Sequence, residues 1–147
     1  PGYEAPVYIS WARRNRSALI RVPSYSPGRE KAIRAELRCP DPSCNPYLAF
    51  AIVLKAGLDG IKRKVEPPAP VEEDVYEFDD AQLKKFYIKT LPSSLDEAIA
   101  EFEKSELVKE TLGGHLFSKY FTVKKLELDE YRIQVTPWEI DRYLKST

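Results

Sequence analysis

Cationic side chains are concentrated in one short part of this sequence. Between Arg13 and Arg38 there are seven arginines and one lysine, against two glutamates. The whole chain of 147 residues nevertheless carries 23 basic and 23 acidic residues. Because the charge is balanced elsewhere, the local excess indicates an anionic ligand bound at this end rather than a uniformly basic surface.

Three of these charges alternate with apolar residues along one segment. In the predicted strand 33–39, Arg34, Glu36 and Arg38 share the polar face, and the residues between them form an apolar face. Guanidinium groups bind phosphate bidentately, and a lone glutamate supplies the hard oxygen that Mg²⁺ prefers. A polyphosphate with a divalent cation therefore suits this face. A solvated ladder of ion pairs fits the spacing equally well.

A second acidic residue, Glu4, lies between Gly2 and Pro6. An ordinary exposed loop acid and a mobile gate that carries a general base are both consistent with this setting, and nothing local decides between them.

The elements that must position these residues follow from periodicity and turn chemistry. The periodicity predicts strands over 7–11, 17–22 and 33–39. Asn45-Pro46 predicts the start of a helix over 47–56, which is apolar and therefore expected to be buried. Gly57 and Gly60 are expected to end this helix. The Pro-rich segment 66–75 reads as an extended surface connector.

The last third of the chain reads as helical. A capping box at Ser94 opens one helix, a short helix from Ser105 stops at Gly113, and 116–131 forms another. A second capping box at Thr136 opens a short C-terminal helix. The predicted fold is one α+β domain, with antiparallel strands at about 6–39 packed against a mainly helical region, 46–145.

Composition limits the cellular setting. Without a membrane-length apolar run or a signal peptide, we expect a cytoplasmic protein with no membrane partner. Cys39 and Cys44 read as free thiols, although a strained local disulfide is the alternative. His115 reads as structural, Trp11 and Trp138 as packing residues.

Longer motifs carry a resemblance to a known family. Pro1-Gly-Tyr-Glu-Ala-Pro6, Arg14-Asn-Arg-Ser-Ala-Leu-Ile-Arg21 and Glu36-Leu-Arg-Cys-Pro-Asp-Pro42 closely resemble the C-terminal part of type I glutamine synthetase. The resemblance continues through Ala56-Gly-Leu-Asp-Gly-Ile61 and Val135-Thr-Pro-Trp-Glu-Ile140, and so covers essentially all of the chain.

The resemblance implies an activity and its cofactors. The family condenses L-glutamate with ammonium, using ATP and Mg²⁺ or Mn²⁺, through a γ-glutamyl phosphate intermediate. It also implies a homo-oligomer, a double hexamer in the complete family members, in the cytoplasm. Tyr76 matches a position that some bacterial members modify with a nucleotide, but its different surroundings favour an ordinary connector tyrosine.

The resemblance implies that four cations bind the nucleotide. Arg16 matches the arginine that contacts ATP phosphate and the substrate. Arg21 and Lys31 match positions on the nucleotide phosphates, and Arg34 matches an arginine on the nucleotide side. Positioning and charge neutralisation supply most of the catalysis in phosphoryl transfer.

Three other residues complete the implied roles. Glu4 matches the flap glutamate that closes over the intermediate and helps take a proton from ammonium. Glu36 resembles a ligand of the divalent metal. Arg38 resembles the arginine that holds the glutamate carboxylate or the transferring phosphoryl group.

The remaining family motifs are expected upstream of Pro1. They include further metal carboxylates, a His-x-Asn segment and the small N-terminal domain, so this chain is expected to hold half a site and to be inactive alone. The alternatives are a ligase that joins glutamate to another amine, a non-catalytic assembly fragment, and a nucleic-acid binder. The acidic residues downstream count against the last, so no nucleic acid is expected as a partner.

Overall fold

The computed structural model describes residues 5–144, in two units that divide the chain after Ser93. Every strand is two residues long: β1 (Tyr8–Ile9), β2 (Trp11–Ala12), β3 (Ile20–Arg21), β4 (Glu36–Leu37) and β5 (Lys89–Thr90). The helices are α1 (Pro46–Lys62), α2 (Asp80–Lys85), α3 (Leu95–Lys104), α4 (Glu106–Arg132) and α5 (Pro137–Glu139), which continues into a π-helical turn, Ile140–Leu144. The predicted class, short strands first and mainly helices after, is confirmed, although β5 follows α2.

The strands of the first unit form two small sheets. In the order β2-β3-β4, β3 and β4 are antiparallel, with Arg21 opposite Glu36. The prediction of antiparallel strands is wrong for β2 and β3, which are parallel, because segment 13–19 returns the chain to the start of β2 before β3 begins. β1 pairs with β5 in an antiparallel sheet.

The predicted apolar faces of the strands are only partly formed. Ala18 and its neighbour Leu19 are both buried, whereas Ile20 is 37% exposed. In the segment 33–39, Ile33 and Leu37 are exposed. The predicted faces are incomplete because β3 and β4 contain two residues each, so most of each segment makes no strand pairing that would fix its faces.

The connector is wrongly predicted as a surface segment, because two of its valines complete the core of the first unit. Val71 and Val75 are buried at 5% and 0% exposure. The Val71 amide donates to the carbonyl of Trp11 at 2.9 Å. The Trp11 indole Nε1 donates to the carbonyl of Pro68 at 2.6 Å, so this residue packs as predicted and also holds the connector beside β2.

Helix α1 begins as predicted but ends later. The Asn45 side chain accepts hydrogen bonds from the amides of Tyr47 and Leu48, and Pro46 occupies the first turn. The helix runs through Gly57 and Gly60, since a glycine in a helix costs only about 1 kcal/mol relative to alanine. Its predicted burial is wrong for residues 5–144: no α1 residue is buried, and Leu48 and Ile52 are only half-buried.

The second unit is a pair of helices with capped ends. Ser94 accepts from the Glu97 amide at 3.2 Å to open α3, and Ser105 accepts from the Val108 amide to open α4. The rings of Phe102 and Phe117 stack with centroids 4.7 Å apart. This ring contact joins α3 to α4.

The predicted break at Gly113 is confirmed in the backbone. Gly113 adopts φ 69° and ψ 162°, so α4 consists of two helical segments across a kink. In the second segment Leu128 is buried, whereas Tyr131 is 67% exposed.

The C-terminal capping box is confirmed, with Thr136 and Glu139 bonding reciprocally. Trp138 is 65% exposed and meets the Tyr143 ring edge-on, so the prediction of a packing residue holds for that ring contact but not for burial. Among residues 5–144, no helix combines the length and apolar character needed to cross a membrane.

Candidate functional site

The sheet brings three of the predicted site residues into direct contact. Because β3 and β4 place Arg21 opposite Glu36, Arg21 Nη1 lies 3.2 Å from Glu36 Oε2. Arg34 Nη2 and Nε reach the other oxygen, Oε1, at 2.8 and 2.9 Å. We call Arg21, Arg34 and Glu36 the Glu36 cluster.

The Glu36 cluster is half-buried and open to solvent. The side chains of Arg21, Glu36 and Arg34 are 37%, 29% and 58% exposed. Arg21 Nε is buried without a hydrogen-bond partner among the described residues. Ion pairs are therefore present in the structure, as the alternative interpretation predicts. Because two guanidinium groups face one carboxylate, the cluster has a net positive charge that favours an anionic ligand.

Arg38 connects β4 to the loop that precedes β3. Its main-chain amide donates to the Leu19 carbonyl at 2.9 Å. Its Nη1 donates to the carbonyl of Arg16 and, at 3.4 Å, to that of Ala18. A guanidinium has five N–H donors, so Arg38 is held by the main chain and keeps donors for a ligand.

Two predicted cations are exposed. Arg16 lies in the loop 13–17, which we call the arginine loop, and Lys31 lies in a 3₁₀ turn, Glu30–Ala32. Neither side chain forms an ion pair within residues 5–144, in contrast to Arg21 and Arg34. Glu4 lies outside the described residues.

Sequence reasoning missed the residues that hold the arginine loop. Asn15 bonds to Ser17 and to the connector, and Glu72 accepts from the amides of Arg13 and Arg14 at 3.0 and 3.2 Å. These main-chain bonds, led by that of Arg13, lower the pKa of Glu72. The only local signal was the Asn-x-Ser spacing, which is typical of side chains that bond nearby backbone.

Tyr76 lies at the edge of this region. Its ring meets that of Tyr8 edge-on at 5.7 Å, and its hydroxyl donates to the Ala5 carbonyl at 3.5 Å. Burial raises the pKa of the Tyr76 phenol, and the positive charge of Arg38 partly offsets this. Tyr76 is therefore more than a connector residue, since it contacts the segment that follows Glu4.

The described residues do not form a complete metal site. Glu36 is the one carboxylate of the cluster, and no group of three or more metal-ligating side chains occurs within residues 5–144. A divalent cation takes about six oxygen ligands. These residues therefore fit one ligand of such a cation and not the whole site.

Other features are not part of the candidate site. An apolar cavity of about 450 Å³ lies between β2, β3 and Pro67-Pro68, and its lining does not suit phosphate. His115 is exposed on α4, which does not fit a packed structural histidine. Cys39 and Cys44 are free, as predicted, and burial raises the pKa of the Cys39 thiol.

Comparison with known proteins identifies the family. A family model described as "Glutamine synthetase, catalytic domain" matches residues 1–143. The chain belongs to the glutamine synthetase family. The resemblance expected from its motifs is confirmed over nearly the whole sequence.

Glutamine synthetases from several organisms are similar to this chain. That of Methanosarcina mazei is 53% identical over 144 residues, which cover 98% of this chain and 32% of the relative. That of Thermotoga maritima is 52% identical, with the same coverage. The chain therefore spans about a third of the length of these relatives.

Solved structures share the fold. The structure described as "Apo GmaS without ligand" has a TM-score of 0.76 at 30% identity. The match covers 95% of this chain and 30% of that one. The cryo-EM structure of Plasmodium falciparum glutamine synthetase has a TM-score of 0.80 at 23% identity, over 97% of this chain and 35% of that one. At that identity the second comparison supports the fold alone.

Proposed function

We propose that this chain forms part of the active site of an enzyme that ligates ammonium to the γ-carboxylate of L-glutamate. The reaction consumes ATP, passes through γ-glutamyl phosphate and gives glutamine. The family match over residues 1–143 carries the proposal. The contact of Arg21 and Arg34 with Glu36 supports it, because it joins three residues for which the family resemblance implies nucleotide or metal binding.

The nucleotide phosphates bind to Arg16, Arg21, Lys31 and Arg34 in this proposal. Two of these side chains are already ordered by Glu36, so less conformational entropy is lost when they engage phosphate. The other two are exposed and supply charge that is not used within the described residues. Together they neutralise the negative charge that opposes phosphoryl transfer.

The glutamate side of the reaction belongs to Arg38 and Glu4. Arg38 is fixed by two main-chain carbonyls, so it presents its remaining donors to the substrate carboxylate or the phosphoryl group from a rigid base. We assign to Glu4 the removal of one proton from ammonium. The ammonia that results attacks the γ-carbonyl carbon of γ-glutamyl phosphate, and the leaving phosphate takes up the proton that the new amide loses.

Glu36 supplies one ligand of a divalent cation, Mg²⁺ or Mn²⁺, whose other ligands lie outside the described residues. When bound, the cation neutralises phosphate charge. Glu36 Oε1 accepts from two N–H groups of Arg34, whereas Oε2 accepts from Arg21 and keeps a second lone pair, so the ion pairs and a metal bond through Oε2 are compatible.

The rest of the polypeptide completes the site. Because the chain spans about a third of its relatives, we propose that the isolated chain is inactive and that the complete enzyme works in the cytoplasm as a double hexamer. The other metal carboxylates and the His-x-Asn segment then come from the remaining two thirds.

A chimaera tests the proposal directly. In it, this chain replaces the matching third of the Methanosarcina mazei enzyme, to which it is 53% identical. We expect ATP-dependent glutamine formation by the chimaera and none by the isolated chain. A chimaera that assembles without turnover, although the parent enzyme is active, would instead support the non-catalytic assembly role.

The same chimaera decides the amine. Ammonium and a set of polyamines are compared at equal concentration, with phosphate release as the common readout. Preference for ammonium is expected, and a preferred polyamine would replace glutamine formation by the ligation of another amine.

A further inference from the structure

The arginine loop and the connector are joined by one amide side chain. Asn15 Oδ1 accepts from the Ser17 amide at 2.8 Å and from the Ser17 hydroxyl at 2.7 Å. Asn15 Nδ2 donates to the carbonyl of Val71 at 3.1 Å and to that of Glu73. All four hydrogen-bonding positions of this side chain are therefore used.

The orientation of the Asn15 amide follows from its neighbours. Two carbonyl oxygens on the connector side accept only, and the Ser17 amide on the other side donates only. In a flipped amide, the oxygen would face the two connector carbonyls and the NH₂ group would face the Ser17 amide, so these hydrogen bonds would be lost. An aspartate at this position would place a carboxylate oxygen against two carbonyls, so the site requires an amide.

Ser17 extends the connection to the core. Ser17 is 3% exposed, and its hydroxyl accepts a hydrogen bond from the Val75 amide at 3.1 Å. Val75 is fully buried. The chain of bonds from Asn15 through Ser17 therefore ends on a rigid core position, while Glu72 holds the amides of Arg13 and Arg14 from the same connector.

Arg16 lies between the two anchoring residues. Its neighbours Asn15 and Ser17 are fixed to the connector, and its own carbonyl accepts from Arg38. The backbone of Arg16 is thus held on both sides, while its side chain is exposed. We propose that Asn15 is a positioning residue, which presents Arg16 to the phosphates of the nucleotide by tying the arginine loop to the connector.

This inference rests on the proposed function, because it assigns Asn15 to the phosphate side of that site. Asn15 acts through Arg16 and does not itself touch the ligand. Replacing Asn15 should therefore impair the use of ATP by more than the accompanying loss of stability explains.

Kinetics of the chimaera separate positioning from stability. We expect Asn15→Ala to lower kcat/KM for ATP by at least about tenfold, mainly through a higher KM. Asn15→Asp should be as impaired as Asn15→Ala, because it keeps the acceptor and loses both donors. The matched control is Asn45→Ala, which also removes an asparagine that bonds two amides but lies at the start of α1.

Asn45→Ala should lower thermal stability and leave KM for ATP within about twofold of the unmodified chimaera. A raised KM in Asn45→Ala equal to that in Asn15→Ala would assign the effect to general destabilisation and overturn the inference. So would an Asn15→Asp variant with unchanged kinetics.

Hydrogen exchange of the isolated chain tests the connection without activity. Asn15→Ala should speed amide exchange in both 13–17 and 71–75, with α3 and α4 unchanged as the internal reference. Unchanged exchange in 71–75 would overturn the inference even if the chimaera is active. An unmodified chimaera without turnover would instead contradict the proposed function, and coupled exchange would still show that Asn15 joins the two segments.

Discussion

Replacing Glu36 by glutamine separates the two uses of its carboxylate. In the structure, one oxygen pairs with Arg21 at 3.2 Å and the other with Arg34 at 2.8 Å. Glutamine has nearly the same shape and keeps one acceptor oxygen, so the change removes charge and not volume. The experiment compares catalysis and stability of the same variant in the chimaera.

The structure bounds the effect of losing the ion pairs. Partly exposed pairs such as these contribute about 0.2 to 1 kcal/mol each, so the two together contribute at most about 2 kcal/mol. Since about 1.4 kcal/mol corresponds to a tenfold change in rate, the lost pairs explain at most an approximately 30-fold fall in kcat/KM. A ligand of the divalent cation should cost more than about 100-fold.

We expect Glu36→Gln to lower kcat/KM beyond the 30-fold bound and to lower the free energy of unfolding in urea by no more than about 2 kcal/mol. Half-maximal activity should also need a higher Mg²⁺ concentration. The matched control is Asp96→Asn, which removes the carboxylate paired with Arg132 at 2.9 Å in the second unit. It should leave activity unchanged.

Activity of Glu36→Gln within the 30-fold bound, with unchanged Mg²⁺ dependence, would refute the metal role. In that case the ion-pair ladder would be a sufficient account of Glu36.

Three further predictions concern the backbone, the thiols and a tyrosine. Gly113→Ala should destabilise the chain by about 1 to 3 kcal/mol, since only glycine tolerates this φ and ψ. Gly114 is helical, so Gly114→Ala should stabilise the chain by about 0.5 to 1 kcal/mol. Equal urea unfolding midpoints for the two variants would contradict this prediction. Iodoacetamide at neutral pH should modify exposed Cys44 before Cys39, whose pKa is raised by burial, and equal rates by mass spectrometry would contradict that order. Burial raises the pKa of Tyr76 above 10.0, so the phenol ionises more readily in the unfolded chain than in the folded one. The free energy of unfolding should therefore fall above pH 10.0, and it should fall less steeply in Tyr76→Phe. Identical dependence of stability on pH in the two proteins would contradict this prediction.

Local chemistry was readable from the sequence where the signal is local. Asn45 before Pro46, the Thr136 and Glu139 pair, and the break at Gly113 all appear as predicted. Each depends on side chains and backbone within four residues. The contact of Arg34 with Glu36 is also local, since the two residues are two apart, although Arg34 precedes β4.

Contacts across the chain were not readable in this way. The parallel pairing of β2 with β3 depends on the path of the loop between them. The burial of Val71 and Val75 depends on segments more than fifty residues apart being brought together. Asn15 shows the consequence most clearly, because its two donors meet carbonyls of the connector.

The sequence by itself determined the family, the fold class and the starts of the capped helices, because motif residues and capping signals are encoded locally. Only the tertiary structure decided which groups Arg21, Arg34 and Arg38 contact, how the arginine loop is held, and that no α1 residue is buried within residues 5–144. The physical reason is that hydrogen-bond partners and burial are properties of surfaces brought together by folding. Neither spacing nor composition specifies them.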